Sequence, residues 1–178
     1  RLKEREGEGV VERRGTGQAT SYHLTRAGRE FLPVVEALGV WGRRWTRRTL
    51  DPGEIDHGLL LWDMERCVAA DAFGPGTATV RVEFVDLPAS YRLWWFVNRG
   101  GRAELCLKDP GFEVDVYLAA TVADLIHVWR GDVTLARALD EGRLEALRDA
   151  GALSRLPEWL SGGPFAAVPP ASEDAGEP

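Results

Sequence analysis

The stretch that most constrains this fold is Leu93–Val97, five consecutive apolar residues that include two adjacent tryptophans. Successive side chains of a β-strand point to opposite faces. Leu93, Trp95 and Val97 therefore share one face, and Trp94 and Phe96 share the other. A strand that is apolar on both faces needs cover on both sides. Since exposed aromatic patches usually mark interfaces, we expect a second domain or subunit to cover one of them.

Strand-like runs extend on both sides of this stretch and are joined by tight-turn sequences at 98–101 and 108–111. Such turns favour an antiparallel meander. In the first run Val80, Val82 and Phe84 alternate with charged residues, so their face is the predicted core. We place Trp94, Phe96, Cys106 and Tyr117 on the opposite face. The four runs are 78–87, 91–98, 102–108 and 112–119.

Helices are expected before and after these strands. Residues 54–72 have helical apolar spacing, Thr121 is a plausible N-cap for a helix that reaches Trp129, and 133–140 reads as a further short helix. The fold class is therefore α+β. Asp51-Pro52-Gly53 is the expected domain boundary, and residues 161–178 have the composition of a disordered tail.

The N-terminal part differs in charge from the rest of the chain. Residues 1–50 carry a net charge of +5 and residues 51–178 a net charge of −11. Two β-prone runs, 9–14 and 19–24, flank the breaker-rich 15–18 and predict a hairpin with Arg13 and Arg14 near its tip. This asymmetry points to an end that faces nucleic acid, joined to a body with another role.

An amphipathic helix is expected directly after the hairpin. Thr25 is its plausible N-cap, and Pro33 must kink it or begin a second segment. The apolar stripe at helical spacing consists of Phe31, Leu38, Trp41 and Trp45. From sequence alone such a stripe is either core or a dimer seam.

Residues 1–50 resemble the C-terminal part of an HxlR-type winged helix-turn-helix regulator. The motifs that carry the resemblance occur in order: GVVERR, YHLT, AGRE and VVEALGVWGRRW. The resemblance implies the end of a recognition helix, a wing and a dimerisation helix. It also leads us to expect that further helices precede Arg1. The implied DNA-binding residues are Arg1, Lys3, Arg13, Arg14, Gln18 and Thr20, and the implied dimer forms through Phe31, Leu38, Trp41 and Trp45.

Residues 78–160 resemble a sterol carrier type-two domain, most clearly in the stretch TVADLIHVWRGDVTLARALDEGRLEALRDAGALSRLPEWL. We therefore expect 51–160 to form a domain of this type. The resemblance implies a sheet with helices on one face and makes 142–147 a fifth strand, although Leu, Ala and Glu favour helix there. It also implies a hydrophobic small-molecule or lipid ligand and no other cofactor. The expected lining, chosen by pattern, is Leu93, Trp95, Leu105, Val116, Leu125 and Trp129.

Catalytic and metal motifs are not evident. His23, His57 and His127 do not fall at ligand spacing, and Asp56, Asp63 and Glu65 do not share a helix face with His57. Cys67 and Cys106 read as buried free thiols of a cytoplasmic protein without a membrane span. We therefore expect a bacterial-type, ligand-responsive transcriptional regulator rather than an enzyme. A lipid-binding carrier module without DNA binding is the alternative.

Overall fold

The computed structural model describes residues 6–15, 20–46, 49–148, 150–169 and 171. Two compact units divide the chain: Arg1–Thr46 with Val168–Pro178, and Arg47–Ala167. The α+β fold class predicted from the sequence is confirmed. The finer domain limits predicted above, 1–50, 51–160 and 161–178, stay a prediction.

The first unit contains the predicted hairpin. Strand β1 (Val11–Arg14) pairs antiparallel with β2 (Ser21–Leu24), with Val11 opposite Leu24. Of the predicted turn at 15–18, residues 16–18 lie outside the described part of the chain. Before β1, Gly9 has φ 71° and its N–H donates to the Glu6 carbonyl. A left-handed glycine of this kind is a common way to end a helical turn.

Helix α1 (Arg26–Trp45) follows, with Thr25 as its N-cap, as predicted. The Thr25 side chain accepts the Gly28 N–H at 3.1 Å and donates to the Gly9 carbonyl at 2.6 Å. The Thr25 N–H donates to the Val10 carbonyl at 3.1 Å. One residue therefore caps the helix and also fixes it to the hairpin.

Pro33 lies inside α1, and the helix is assigned as one segment through it. Proline lacks the N–H that would bond to the carbonyl four residues earlier. Here that carbonyl belongs to Arg29. Because Pro33 is only about two turns from the N-cap, the helix loses this bond near its start and continues to Trp45.

The second unit is built on five strands, in the order β5-β4-β3-β6-β7. The first element of this unit is a short 3-10 turn, and its last is a helix that packs against the sheet. In chain order the elements are the turn Pro52–Glu54, α2 His57–Cys67, β3 Ala78–Phe84, α3 Ala89–Arg92, β4 Leu93–Arg99, β5 Arg102–Cys106, β6 Val116–Ala120, α4 Val122–Trp129, α5 Leu135–Asp140, β7 Leu144–Arg148 and α6 Ala150–Trp159.

The sheet is mixed, whereas the sequence predicted a wholly antiparallel one. Strands β3, β4 and β5 form the expected meander, but β6 pairs parallel with β3. The turn-like sequence at 108–111 belongs to a crossover that returns the chain across the sheet. Asp115 fixes the end of this crossover: its N–H donates to the Thr79 carbonyl, and its carboxylate accepts the Thr79 N–H at 2.8 Å.

Residues 144–148 form strand β7, as the family resemblance implied and against the local helix preference. Pairing with β6 supplies the hydrogen-bond ladder that the helix would otherwise provide. Part of the predicted disordered tail is also ordered. The Gly163 N–H donates to the Trp129 carbonyl at 2.8 Å, and residues 164–167 form turns. Residues 170 and 172–178 lie outside the described part.

The core lies between the sheet and helices α2, α4 and α6. Val80, Val82 and Phe84 are fully buried there, as predicted. The two faces of β4 alternate as predicted, but the face assigned to the core was wrong. Val80 lies opposite Phe96, and Val82 lies opposite Trp94. Trp94 and Phe96 thus share the core face. A shift of one residue in register moves every side chain of a strand to the other face.

Candidate functional site

The basic tip of the hairpin is exposed. Arg13 and Arg14 end β1, and the Arg13 guanidinium donates to the Thr20 hydroxyl at 3.2 Å. Arg14 forms an ion pair with Glu12, in which the side chains are 65% and 44% exposed. Exposed ion pairs of this kind contribute little free energy. Both guanidinium groups are therefore available to an anionic partner.

The predicted DNA-binding residues are only partly described. Three of the six predicted residues, Arg13, Arg14 and Thr20, lie close together at the hairpin. Arg1, Lys3 and Gln18 lie outside the described residues. Whether these six residues bind DNA stays a prediction.

Helix α1 presents a large apolar face to solvent. Phe31 is 41% exposed, and Leu38, Trp41 and Trp45 are each about 60% exposed. Leu32, Val34 and Val35 add to the same exposed apolar surface. Contiguous apolar surface of this kind marks interaction sites in soluble proteins. In the described part of the chain the stripe is exposed, and both interpretations from the sequence, core and dimer seam, stay predictions.

The six residues predicted to line a ligand cavity are divided between the two faces of the sheet. Leu105 lies opposite Phe96 and Val116 opposite Val80, which places both on the helix-covered face. Leu125 and Trp129 project from α4 into the same core. Trp95 lies opposite Arg81 and Cys106, and Leu93 opposite Glu83, so these two are on the other face. They do not form one lining.

The helix-covered face is closely filled. Phe84, Phe96, Leu61, Met64 and Trp159 are all less than 2% exposed. The Trp159 indole N–H donates to the Asn98 side-chain oxygen at 2.8 Å. Asn98 in turn donates to the Ala78 and Phe96 carbonyls, so every strong polar group of this buried pair has a partner. The space that the sequence assigned to a ligand is occupied here by side chains.

An apolar pocket lies instead beside the core, between α2 and α4. Its volume is about 320 Å³. We name it the α2–α4 pocket. Of the predicted ligand residues, Trp129 lines it. Its residues are Leu50, Glu54, Asp56, Leu59, Leu60, Trp62, Asp63, Ile126, Trp129 and Arg130.

Sequence reasoning missed this pocket. Helix α2 buries Leu60, Leu61 and Met64. Leu59 and Trp62 lie on another side of it and remain 63% and 51% exposed. A helix that is apolar on more than one side has more apolar surface than its core contact needs. That second apolar side was the signal available in the sequence.

Asp63 is the polar centre of the pocket. Its carboxylate accepts the Trp129 indole N–H at 2.7 Å, which joins α2 to α4. Its other oxygen is 3.8 Å from the Cys67 sulfur. Burial, followed by the nearby Asp63 charge, raises the pKa of the Cys67 thiol. The Cys67 thiol is therefore protonated at neutral pH and donates to Asp63.

The histidines have structural partners. His127 lies 3.1 Å from the Asp132 carboxylate, which Arg130 also approaches at 3.4 Å. The His57 ring contacts Tyr91 and Trp94, with centroids 5.6 and 5.8 Å apart. Over the residues that the structure describes, no cluster of three possible metal ligands occurs. Within the same residues no helix has both the length and the apolar character to cross a bilayer.

The first unit is similar to a known family of DNA-binding domains. Residues 1–50 match the HxlR-like helix-turn-helix. This match contains the hairpin and α1, in the order that the HxlR-type resemblance implied. The resemblance recognised in the sequence is therefore confirmed for this segment. No curated protein matches the chain.

Solved structures similar to the chain include sterol carrier type-two domains, as the sequence predicted. One from Helicoverpa armigera has a TM-score of 0.43 at 15% identity and covers 71% of this chain and 99% of its own. One from Aedes aegypti has a TM-score of 0.41 at 17% identity, covering 57% and 93%. A stereoselective inverting sec-alkylsulfatase from Pseudomonas sp. has a TM-score of 0.46 at 17% identity, covering 56% of this chain. The chain spans only 15% of that sulfatase. These likenesses concern backbone arrangement alone.

Proposed function

We propose that this chain is part of an HxlR-type DNA-binding transcriptional regulator, whose second unit binds an apolar small molecule. The observation that carries the proposal is the family match of residues 1–50, which contains a basic hairpin followed by an exposed apolar helix. We propose that the protein acts in the cytoplasm of a bacterial cell, as expected from the sequence.

DNA contact is assigned to the hairpin as a wing. Arg13 and Arg14 reach phosphates from its tip, and Thr20 adds a hydroxyl beside them. Arg1, Lys3 and Gln18 complete the proposed set. Guanidinium contacts with phosphate position a protein on DNA without reading its sequence. The excess positive charge of residues 1–50 supports this assignment.

Helix α1 is assigned as the seam of a homodimer, through Phe31, Leu38, Trp41 and Trp45. A two-fold seam places the same apolar stripe against its copy and removes both from water. The symmetry of such a dimer would also set the spacing of the two DNA half-sites.

Sedimentation of Trp41→Glu tests this seam. Each dimer would bury two carboxylates without partners, and at about 2 kcal/mol each the dissociation constant rises roughly a thousandfold. Leu107→Glu is the control, since Leu107 is 70% exposed and lies in the second unit, outside the α2–α4 pocket. We expect the control to remain dimeric. A wild-type protein that sediments as a monomer contradicts the seam.

The second unit would regulate DNA binding through its ligand. Such coupling requires that the ligand bind two dimer geometries with different affinities. We assign the ligand to the α2–α4 pocket, because the space between the sheet and the helices is filled by Trp159 and its neighbours.

The alternative is a lipid-binding carrier module in which the first unit does not bind DNA. Electrophoretic mobility shift of the protein separates the two functions. A regulator retards DNA in a salt-sensitive manner. A carrier leaves DNA mobility unchanged at every salt concentration and co-purifies with a lipid in native mass spectrometry.

A further inference from the structure

The α2–α4 pocket combines apolar walls with an excess of negative charge. Leu60, Ile126 and Trp129 are buried at its base, and Leu59 and Trp62 are exposed at its rim. Its volume of about 320 Å³ suits one aromatic ring with a short chain attached. Apolar surface of this extent favours an apolar ligand body.

Three carboxylates line the same pocket, and neutral donors hold each of them. Glu54 accepts the Asp51 N–H at 2.9 Å, and Asp56 accepts the N–H groups of Gly58 and Leu59 at 2.8 and 3.1 Å. Asp63 accepts the Trp129 indole. Their positions are fixed, and among the described residues no cationic side chain forms an ion pair with them.

Arg130 is the cationic residue of the lining, and it is already paired. Its Nε lies 3.4 Å from Asp132, a carboxylate whose side chain is 4% exposed. Trp62 holds a cation as well, since the Arg66 guanidinium carbon lies 4.0 Å from the centroid of its ring. The face of an indole attracts positive charge. The Trp62 face is already occupied by Arg66, so the preference for a cationic ligand rests on the three carboxylates.

We propose that the α2–α4 pocket binds an organic cation with an apolar body, such as an aromatic alkylamine. This deepens the ligand-binding role proposed above and is independent of whether the first unit binds DNA. The apolar body replaces water against Leu59, Leu60 and Ile126. The ammonium group lies near Asp56 and Asp63, where each carboxylate has lone pairs left after its structural hydrogen bonds.

Three probes with one apolar body, a phenyl ring and four methylenes, test the charge preference: 4-phenylbutylamine, 4-phenylbutan-1-ol and 5-phenylpentanoic acid. The amine is cationic at neutral pH, the alcohol neutral and the acid anionic. We expect calorimetric titration to show the amine binding about tenfold tighter than the alcohol, equal to about 1.4 kcal/mol. The acid should bind more weakly than the alcohol. The advantage of the amine should decrease as the salt concentration rises, because salt screens exposed charges.

Variants that remove charge without removing acceptors locate the site. Glu54→Gln, Asp56→Asn and Asp63→Asn each retain an oxygen for the backbone or indole N–H that the carboxylate now accepts. We expect each to weaken amine binding by about threefold to tenfold and to leave alcohol binding within about twofold. Glu145→Gln, at an exposed position of β7, is the matched control and should change neither amine binding nor alcohol binding.

The outcomes separate the cation preference from the ligand-binding role. Equal affinity for amine and alcohol, or an amine advantage that survives all three charge-removing variants, overturns the cation proposal and leaves an apolar site. Binding of none of the probes at millimolar concentration overturns both. Retardation of DNA in a mobility shift is measured separately and depends on neither result.

Discussion

Gly28 is the position at which a single methyl group should separate the hairpin from α1. An ideal Cβ at Gly28 would lie 2.1 Å from the Val10 carbonyl oxygen and 3.1 Å from a Leu24 methyl. Ordinary carbon–oxygen contacts are above 3 Å. The hairpin must therefore move by about 1 Å relative to the helix, since the carbonyl belongs to backbone and has no rotamer to change.

The cost follows from the hydrogen bonds that this movement breaks. The Thr25 N–H bond to Val10 and the Thr25 hydroxyl bond to Gly9 both join the two elements. Their loss costs about 1–3 kcal/mol in total. Alanine also stabilises a helix interior by about 1 kcal/mol relative to glycine, which offsets part of this cost. From the middle of that range, we expect Gly28→Ala to lower the free energy of opening the hairpin by about 1 kcal/mol, and by about 2 kcal/mol at most.

Amide hydrogen exchange, read by mass spectrometry of peptides from residues 9–25, is the assay. A loss of 1–2 kcal/mol corresponds to exchange that is roughly 5 to 30 times faster. Gly42→Ala is the control, because it lies in the same helix and a Cβ there meets nothing within 4 Å. The control should leave hairpin exchange unchanged. Unchanged or slower exchange in Gly28→Ala would refute the close contact between Val10 and α1.

Two further predictions concern the second unit. Asn98→Ala leaves the buried Trp159 indole and the Ala78 carbonyl without their partner. Urea unfolding should therefore show a free energy of unfolding lower by about 2–4 kcal/mol. A decrease below about 0.5 kcal/mol, which is usual for surface substitutions, would contradict this. Although burial acts to raise the pKa of the Asp124 carboxyl, hydrogen bonds from Thr121 and Arg143 outweigh it, so the pKa is lowered. A lowered pKa gives stability above the unfolded-state value, about 4, which is lost as the pH falls through the folded-state value. Arg143→Gln should therefore destabilise the protein by about 1 kcal/mol at pH 7 and by progressively less below about pH 4; an equal difference at every pH would exclude this linkage.

Local signals in the sequence predicted much of this structure. Thr25 and Thr121 act as N-caps where expected, because a cap depends only on the next three residues. The alternation of Val80, Val82 and Phe84 with charged residues correctly predicted a core face, because alternation is a property of a single strand.

Features that depend on distant pairing were not predictable in the same way. The parallel position of β6 depends on a crossover that has the sequence of a turn, and the faces of β4 depend on its register with β3. As a result, the residues predicted to line a ligand cavity lie on two different faces of the sheet. The α2–α4 pocket requires two helices 55 or more residues apart to meet, which no single stretch encodes.

The salt dependence of DNA affinity tests the central proposal most directly. Each phosphate neutralised by the protein contributes about 0.9 to the slope of log affinity against log salt concentration. Arg13→Ala combined with Arg14→Ala should lower that slope by about 1–2 and weaken binding about equally on all sequences. Arg137→Ala combined with Arg155→Ala changes the charge equally in the second unit and should leave the slope unchanged. A wild-type protein with no salt-dependent affinity for DNA, or a hairpin variant with the wild-type slope, would contradict the proposal.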